Sequence, residues 1–345
     1  MSGTGDTPSN LLRERADQSR AKLWLLLEAD RWVVTGALLV LVFFTLVAVG
    51  HLAPAAETVV RDGDPIATLF QALLTATITG VTLVLTLNQL VLSQELGAVG
   101  DQRERMEGAT EFRRDAADAI GAPVSPSRPA QFLRALVEVS AECAEDLRDS
   151  VSTSTDEELR TAADDLADDL IENADQVSTG LDGAQFGSFD VISSALNFNY
   201  SWKVFASRRI RETYGDRLDE RGAAALERLI VTLELFGPAR EHFKTLYFQW
   251  ELINLSRHIL VTSVPALIVS TAMIVFFDPA PYEGTVFGVE TLVVVVAAAT
   301  ALSLVPFLLL LAYILRIATV TKHTLSIGPF ILRETEDVAE VEWGR

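Results

Sequence analysis

Two glutamines and six hydroxyl residues recur at spacings of three and four along one apolar stretch of this chain. At about 100° per residue on a helix, all eight fall within an arc of about 80°. An amide group in hydrocarbon is costly unless it is hydrogen-bonded, so this face is expected to meet protein or water. The members of this polar stripe are Thr68, Gln71, Thr75, Thr79, Thr82, Thr86, Gln89 and Ser93.

The polar stripe has two interpretations. Hydroxyl-rich seams are common between packed membrane helices, because Ser and Thr bond their own backbone and allow close approach. Alternatively, a stripe repeated around the axis of a homo-oligomer would line a polar, uncharged pore. Its length favours a pore, since a packing seam needs only a few small residues, but the abundance of hydroxyl seams favours packing. Both interpretations remain open from the sequence.

Two thinner hydroxyl seams occur towards the C-terminal end. Ser256, Ser263 and Ser270 recur at heptad spacing, and Thr300 is followed by Ser303. Neither seam extends far enough to suggest a conduit. Both are therefore predicted to be packing contacts between helices.

Signatures of catalysis are missing from the sequence. It holds no Gly-rich phosphate loop, no Gly-x-Ser-x-Gly elbow and no His-Glu-x-x-His pair. A single cysteine, Cys143, and four scattered histidines argue against a disulfide framework or a dedicated metal site. His258, beside Arg257, is interpreted as a structural interfacial histidine. We therefore expect no enzymatic activity, no cofactor and no metal.

The chain is strongly acidic and also apolar. Its formal charge is −19, 49% of its residues are hydrophobic and its mean hydropathy is +0.28. These properties coexist only when membrane-length apolar runs are segregated from charged segments. Such acidity disfavours nucleic acid as a partner. The basic residues include few lysines, which is typical of halophilic, archaeal proteins that stay hydrated in a salt-rich cytoplasm. The four lysines are Lys22, Lys203, Lys244 and Lys322.

Four apolar runs reach the roughly 20 residues needed to cross a bilayer core. Prolines at the first turn of the second run and inside the last two are compatible with membrane helices. Lys and Arg residues flank the runs on the sides of the N-terminal tail, the long insert and the C-terminal tail. The two short loops contain only one basic residue, Arg61. The positive-inside rule therefore predicts a multi-pass cell-membrane protein with both termini in the cytoplasm. The runs are Trp32–Leu52, Pro65–Leu92, Ile259–Phe277 and Val286–Leu315.

About 160 residues separate the second and third runs, enough for one cytoplasmic domain. Pro129 suits the first turn of a helix that extends through Arg148. Thr155 and Glu158 form a capping-box pattern for the next helix, and Ser150 to Thr155 is interpreted as a linker. A helical pattern then runs from Asp219 towards Gly237-Pro238. It continues from Ala239 into the third run.

The helix that follows Thr155 is amphipathic. Its apolar positions are Leu159, Ala163, Leu166, Leu170 and Ala174. The opposite face is acidic but lacks a calcium-loop pattern, so it is interpreted as a solvated surface. A later basic cluster is expected to form ion pairs within the domain, although contact with anionic lipid head groups is the alternative. That cluster comprises Lys203, Arg208, Arg209 and Arg211.

The run Asn88–Gly97 (NQLVLSQELG) resembles uncharacterised haloarchaeal multi-pass membrane proteins. In its layout of two spans, a helical insert and two spans, the chain is also similar to bestrophin-type anion channels, although their sequence motifs are missing.

The sequence thus predicts an all-α protein with four transmembrane helices in a 2+2 arrangement and a helical cytoplasmic domain inserted between the pairs. The expected function is an oligomeric channel-like or pore-forming protein in the lipid bilayer. The alternative is a membrane-anchored sensor or scaffold whose cytoplasmic domain binds a protein partner. The predicted segments are a cytoplasmic tail (1–31), two spans (32–92), the cytoplasmic domain (93–252), two spans (253–316) and a second tail (317–345).

Overall fold

A computed structural model describes residues 29–53, 64–185, 187, 189–286 and 288–323, and these are almost entirely helical. The long elements are α1 (Arg31–Leu52), α2 (Asp64–Glu95), α3 (Val99–Ile120), α4 (Pro129–Val151), α5 (Glu157–Leu181), α6 (Phe189–Leu196), α7 (Tyr200–Tyr214), α8 (Glu220–Val275) and α9 (Thr291–His323). A single 3-10 turn (Gly215–Arg217) and two strands, β1 (Thr285–Val286) and β2 (Val289–Glu290), complete the described elements.

Four of these helices are long and apolar enough to cross a membrane, as the sequence predicts. The described residues are nearly all-α, as predicted, and these four helices support a location in a membrane. The qualifying segments are Arg31–Leu52, Asp64–Ser93, Glu220–Val275 and Thr291–Thr321.

The described residues divide into two compact units. We call the first the apolar unit; its described residues are 29–53, 64–96, 249–286 and 288–319. We call the second the polar unit; its described residues are 97–185, 187, 189–248 and 320–323. The helix α8 contributes to both, since its residues up to Phe248 belong to the polar unit and those from Gln249 to the apolar unit.

The core of the polar unit is formed chiefly by α4, α5 and the first part of α8. Every apolar position predicted for α5 is buried, as the three-and-four spacing requires. From α8, Leu229, Leu233 and Phe236 are fully buried in the same cluster. Pro129 occupies the first turn of α4, as predicted.

The start of α5 differs from the prediction by one residue. Its N-cap is Asp156, whose carboxylate accepts a hydrogen bond of 3.1 Å from the Leu159 amide. Thr155 therefore does not cap the helix. Aspartate is as good an N-cap as threonine and carries a charge that suits the positive end of the helix dipole. The predicted linker is also shorter, because α4 continues to Val151.

The helix α3 ends at Ile120, shortly before Pro123, Pro126 and Pro129. Gly121 is the C-cap, with φ of 69° in the left-handed region. The amide of Ala122 then bonds the Ala117 carbonyl at 2.9 Å, which closes the end of the helix.

The fourth apolar run was predicted to begin at Val286, but α9 begins at Thr291. The intervening residues form a short antiparallel hairpin, in which Thr285 pairs with Glu290 and Val286 with Val289. Gly288, with φ of 79°, lies in its turn. Apolar content alone could not separate a hairpin rich in valine from the helix that follows it.

The helix α8 runs without a break for 56 residues, through Gly237-Pro238. Proline has no N–H, so one backbone hydrogen bond is lost at this point. Gly237 packs against the ring of Tyr200, and a Cβ there would lie 2.8 Å from a ring carbon. The glycine is therefore required by the close approach of this ring.

Candidate functional site

The polar stripe lies on α2, which spans Asp64 to Glu95. Asp64 and Pro65 occupy its first turn, where a carboxylate suits the helix dipole and proline lacks only an N–H that the helix would not use. The helix ends just before Gly97. The whole stripe therefore lies on one unbroken helix of membrane length.

All eight side chains of the polar stripe are exposed in the folded chain. The buried face of α2 is carried by Ile66, Phe70, Thr77 and Val84, each at most 3% exposed. At about 100° per residue, the centres of the two faces are about 165° apart. The polar stripe thus points away from the other helices that the structure describes.

The opposite face of α2 anchors it within the apolar unit. Ile66 and Phe70 pack with Ala299 of α9 and with partly buried residues of α8, including Val269 and Met273. Val84 belongs to a second cluster with residues of the same two helices. Large apolar side chains on this face determine which side of α2 is buried.

The hydroxyl groups of the stripe bond their own helix. Each donates to a backbone carbonyl three or four residues earlier, at 2.7 to 3.0 Å. Gln71 and Gln89 have no side-chain hydrogen-bond partner within the described part of the chain. Their amides are therefore the groups that require water or another molecule.

The hydroxyl seams of α8 and α9 are buried instead. Ser256, Ser263 and Ser270 are at most 6% exposed, and Ser270 donates a hydrogen bond of 3.1 Å to Ser303 of α9. Thr300 is also buried. The prediction that these residues pack between helices is confirmed. For the polar stripe, packing within one chain does not occur among the described helices.

A buried cluster of charges in the apolar unit was not recognised from the sequence. Glu251 of α8 is 6% exposed, and its Oε1 lies 3.4 Å from Arg316 Nη1 and 3.8 Å from Arg31 Nη2. The two arginines were interpreted only as flanking charges that set membrane orientation. The available signal was Glu251 itself, an acidic residue close to a membrane-length apolar run.

His258 lies beside this cluster and contacts aromatic residues of two other helices. Its Nδ1 is 2.8 Å from the hydroxyl of Tyr313, and its ring meets Trp32 edge to face at 5.3 Å. The guanidinium carbon of Arg31 in turn lies over the ring of Tyr313, 5.7 Å from the ring centroid. Three helices therefore meet at this histidine.

Most residues of the basic cluster in the polar unit form ion pairs. Lys203 is fully buried and lies 2.7 Å from Asp169 of the acidic face of α5. Arg208 and Arg211 instead pair with glutamates of α8, at 2.6 and 3.1 Å. Arg209 is exposed. Pairing within the domain is thus observed, with the acidic helix through Lys203 and with α8 through the two arginines.

The remaining acidic face of α5 is solvated. Asp164, Asp165, Glu172 and Asp175 are exposed, and Asp168 pairs with Arg148 at 3.1 Å. Within residues 29–323, as far as they are described, no three His, Cys, Asp or Glu side chains are grouped to hold a metal ion.

Cys143 lies in the core of the polar unit and is 1% exposed. Burial raises the pKa of its thiol to about 11, so the reactive thiolate is scarce at neutral pH. The native cysteine is therefore a poor target for thiol reagents.

The chain belongs to a family of unknown function (DUF7972), whose match covers residues 1–345. No curated protein and no solved structure matches it.

Proposed function

We propose that this protein assembles into a homo-oligomeric, channel-like pore in the cell membrane, with the polar stripe of α2 as its lining. The observation that carries the proposal is the exposure of all eight stripe residues on the face of α2 opposite its buried side. One copy alone would leave two amides facing hydrocarbon, at a cost of several kcal/mol each. A ring of copies around water removes that cost.

The proposal includes a topology. Basic residues outside the short loops support cytoplasmic termini and a cytoplasmic polar unit between two pairs of spans. The acidic, lysine-poor composition supports a halophilic, archaeal source, in which the carboxylates of α5 keep the protein hydrated. In this interpretation the acidity is an adaptation to salt and is separate from conduction.

The lining is tested by cysteine accessibility in the oligomer. Thr79→Cys and Thr82→Cys are expected to react with a small hydrophilic thiol reagent, because a water-filled wall admits it. Two controls have the same depth in α2. Thr77→Cys replaces a side chain that is 2% exposed, and Leu83→Cys an apolar one that is 58% exposed. Both controls should remain unlabelled. Inert stripe cysteines would contradict the pore.

Conductance in reconstituted bilayers provides the functional test. Thr79→Arg and Thr82→Arg are expected to change ion selectivity or block current, because a ring of added charges dominates the field in a narrow pore. The control Ser152→Arg places the same charge at an exposed position of the polar unit. An assembled protein that carries no current under any salt or voltage condition would contradict the proposal.

The topology is tested separately by labelling in sealed cells. Cys143 cannot report sidedness, because burial protects it on either side of the membrane. Glu283→Cys and Asp175→Cys replace exposed residues in the last short loop and in the polar unit. An impermeant reagent should label the first in intact cells and the second only after lysis. Labelling of Asp175→Cys in intact cells would contradict a cytoplasmic polar unit.

A membrane-anchored scaffold is the alternative function, and α3 favours it. Most side chains from Val99 to Asp115 are exposed, including Val99 at 87% and Met106 at 70%. A helix of this length gains little stability alone in water, so it suits a surface that a protein partner covers. Loss of a co-purifying protein on Met106→Asp, with unchanged assembly, would support this function.

A further inference from the structure

The outward face of α8 carries an arginine that has no partner within the described part of the chain. Arg257 is exposed and forms no ion pair or side-chain hydrogen bond with any described residue. The other two arginines described in the apolar unit, Arg31 and Arg316, both approach Glu251. The charge of Arg257 therefore has to be solvated or neutralised from outside these helices.

The surface around Arg257 is otherwise apolar. At about 100° per residue, six exposed residues of α8 fall within an arc of about 80°. They are Trp250, Ile253, Arg257, Val261, Val264 and Ile268. The opposite face is buried, with Leu255 and Ile259 at most 3% exposed. Arg257 comes two residues before the apolar run that starts at Ile259, so it lies at the depth of the lipid head groups when that run spans a bilayer.

A second polar group lies beside Arg257. Asn254 is half-buried on α8, three residues earlier, and residues three apart are neighbours on a helix surface. Its side chain has no hydrogen-bond partner among the described residues. A guanidinium and an amide N–H group are both donors, and the guanidinium fork matches the oxygens of a phosphate group. The two side chains together are suited to an oxygen-rich anion.

Two partly exposed tryptophans border these donors. Trp250 is 47% exposed and lies two turns before Arg257 on the same face. Trp32, at the start of α1, is 46% exposed, and its ring lies 5.3 Å from that of His258, the residue after Arg257. Asp30 caps α1 by accepting from the Trp32 amide at 2.7 Å, and it forms no ion pair with Arg257. Tryptophan is enriched where the hydrocarbon of a bilayer meets the head groups.

We propose that Arg257 and Asn254 bind the phosphate group of an anionic membrane lipid, whose acyl chains lie along the apolar face of α8 that follows Arg257. Four membrane-length helices and the aliphatic side chains of this face support a lipid as the occupant. The unpaired charge of Arg257 favours a head group with a net negative charge over a zwitterionic one. The site rests on the membrane location of the protein and does not depend on conduction through the polar stripe.

Native mass spectrometry of the purified full-length protein, titrated with phosphatidylglycerol in mild detergent, tests the site. Arg257→Gln should weaken the tightest lipid adduct about tenfold, because charge-assisted hydrogen bonds to the phosphate are lost. Arg257→Lys should weaken it less, since it keeps the charge but not the fork. Asn254→Leu, which removes a neutral donor, should weaken it about threefold. Phosphatidylcholine with the same acyl chains should bind the unmodified protein less tightly than phosphatidylglycerol does.

Arg114→Gln is the matched control, because it removes an exposed arginine from α3 in the polar unit. It should bind phosphatidylglycerol as the unmodified protein does. An unchanged affinity in Arg257→Gln, or equal affinities of the unmodified protein for the two lipids, would overturn the site. Dissociation of the lipid-free oligomer on Arg257→Gln would assign this face to a second copy of the chain and would also overturn it.

Discussion

The hydroxyl seam between α8 and α9 and the polar stripe of α2 use similar side chains, but the fold buries one and exposes the other. Ser270 and Ser303 are fully buried and hydrogen-bonded to each other. Thr79 and Thr82 are exposed and bond only their own backbone. Polarity alone therefore does not decide which face of a helix enters the interior of this chain.

The size of the side chains on each helix face explains the difference. The face of α2 opposite the stripe offers Phe70 and Val84, and burying large apolar side chains brings the helix onto its neighbours. On α8 the seam consists of serines, whose small size allows close approach to α9. The consequence is that α2 presents its polar face away from the described helices of the chain.

The largest expected effect follows from overfilling the buried seam. Ser270→Leu should destabilise the protein by about 1–3 kcal/mol, because the site is fully buried and Ser303 would lose its partner. Thr82→Leu, at an exposed position, should change the unfolding free energy by no more than about 0.5 kcal/mol. Denaturant unfolding followed by circular dichroism measures both. Equal losses would show that the stripe is packed in the same way as the seam.

A smaller effect distinguishes a stripe that faces water from one that packs against another helix. In a water-filled pore, Gln71→Leu and Gln89→Leu should leave the oligomer intact, because water solvates the amides. In a packed seam, each lost interhelical hydrogen bond costs about 0.6 kcal/mol on average and up to about 1.7 kcal/mol. Native mass spectrometry across a dilution series measures the oligomer fraction. A shift to smaller species for both variants would contradict the pore.

The sequence was sufficient to place the stripe on one face of one helix, because helical spacing determines which side chains share a face. It could not show that this face points away from α8 and α9. That outcome depends on the partner helices and on their apolar surfaces, and the angle between residues on α2 carries no information about either.

The charge cluster could not be predicted from the sequence for a related reason. Arg31, Glu251 and Arg316 are far apart along the chain, and each has an ordinary role when it is considered alone. Only the packing of three helices brings them together. By contrast, local signals such as Pro129 and the spacing of apolar residues in α5 predicted helices correctly, since their causes lie within a few residues.

Removing one exposed hydroxyl should have less effect than either change above. Thr75→Val keeps the shape of the side chain and removes a hydroxyl that bonds only the Gln71 carbonyl, at 3.0 Å. The unfolding free energy should change by less than about 0.5 kcal/mol. The comparison variant is Thr232→Val in the polar unit, which removes a buried hydroxyl with the same type of bond. A larger loss for Thr75→Val would indicate that its hydroxyl has a second partner in the assembly.

Acid titration gives the smallest effect and isolates the polar unit, because the hydroxyls of seam and stripe do not titrate. A hydrogen bond from Arg217, at 2.6 Å, lowers the pKa of Asp156. Its stabilising contribution is therefore present above the ordinary carboxyl pKa of about 3.9, and it is lost as the pH falls towards the lowered value. Asp156→Asn, which keeps a capping side chain, should remove this part of the acid dependence in circular dichroism. An unchanged titration would contradict the pair.

The unbroken course of α8 has a mechanical consequence. At about 1.5 Å per residue, its 56 residues form a rod about 84 Å long. A long helix bends most readily where backbone hydrogen bonds are missing, and in α8 this is the case at Pro238 and at Pro265. The ring of Tyr200, seated against Gly237, braces the turn at Pro238 on one side. Bending of α8 at Pro238 would therefore change the distance between this ring and the helix backbone.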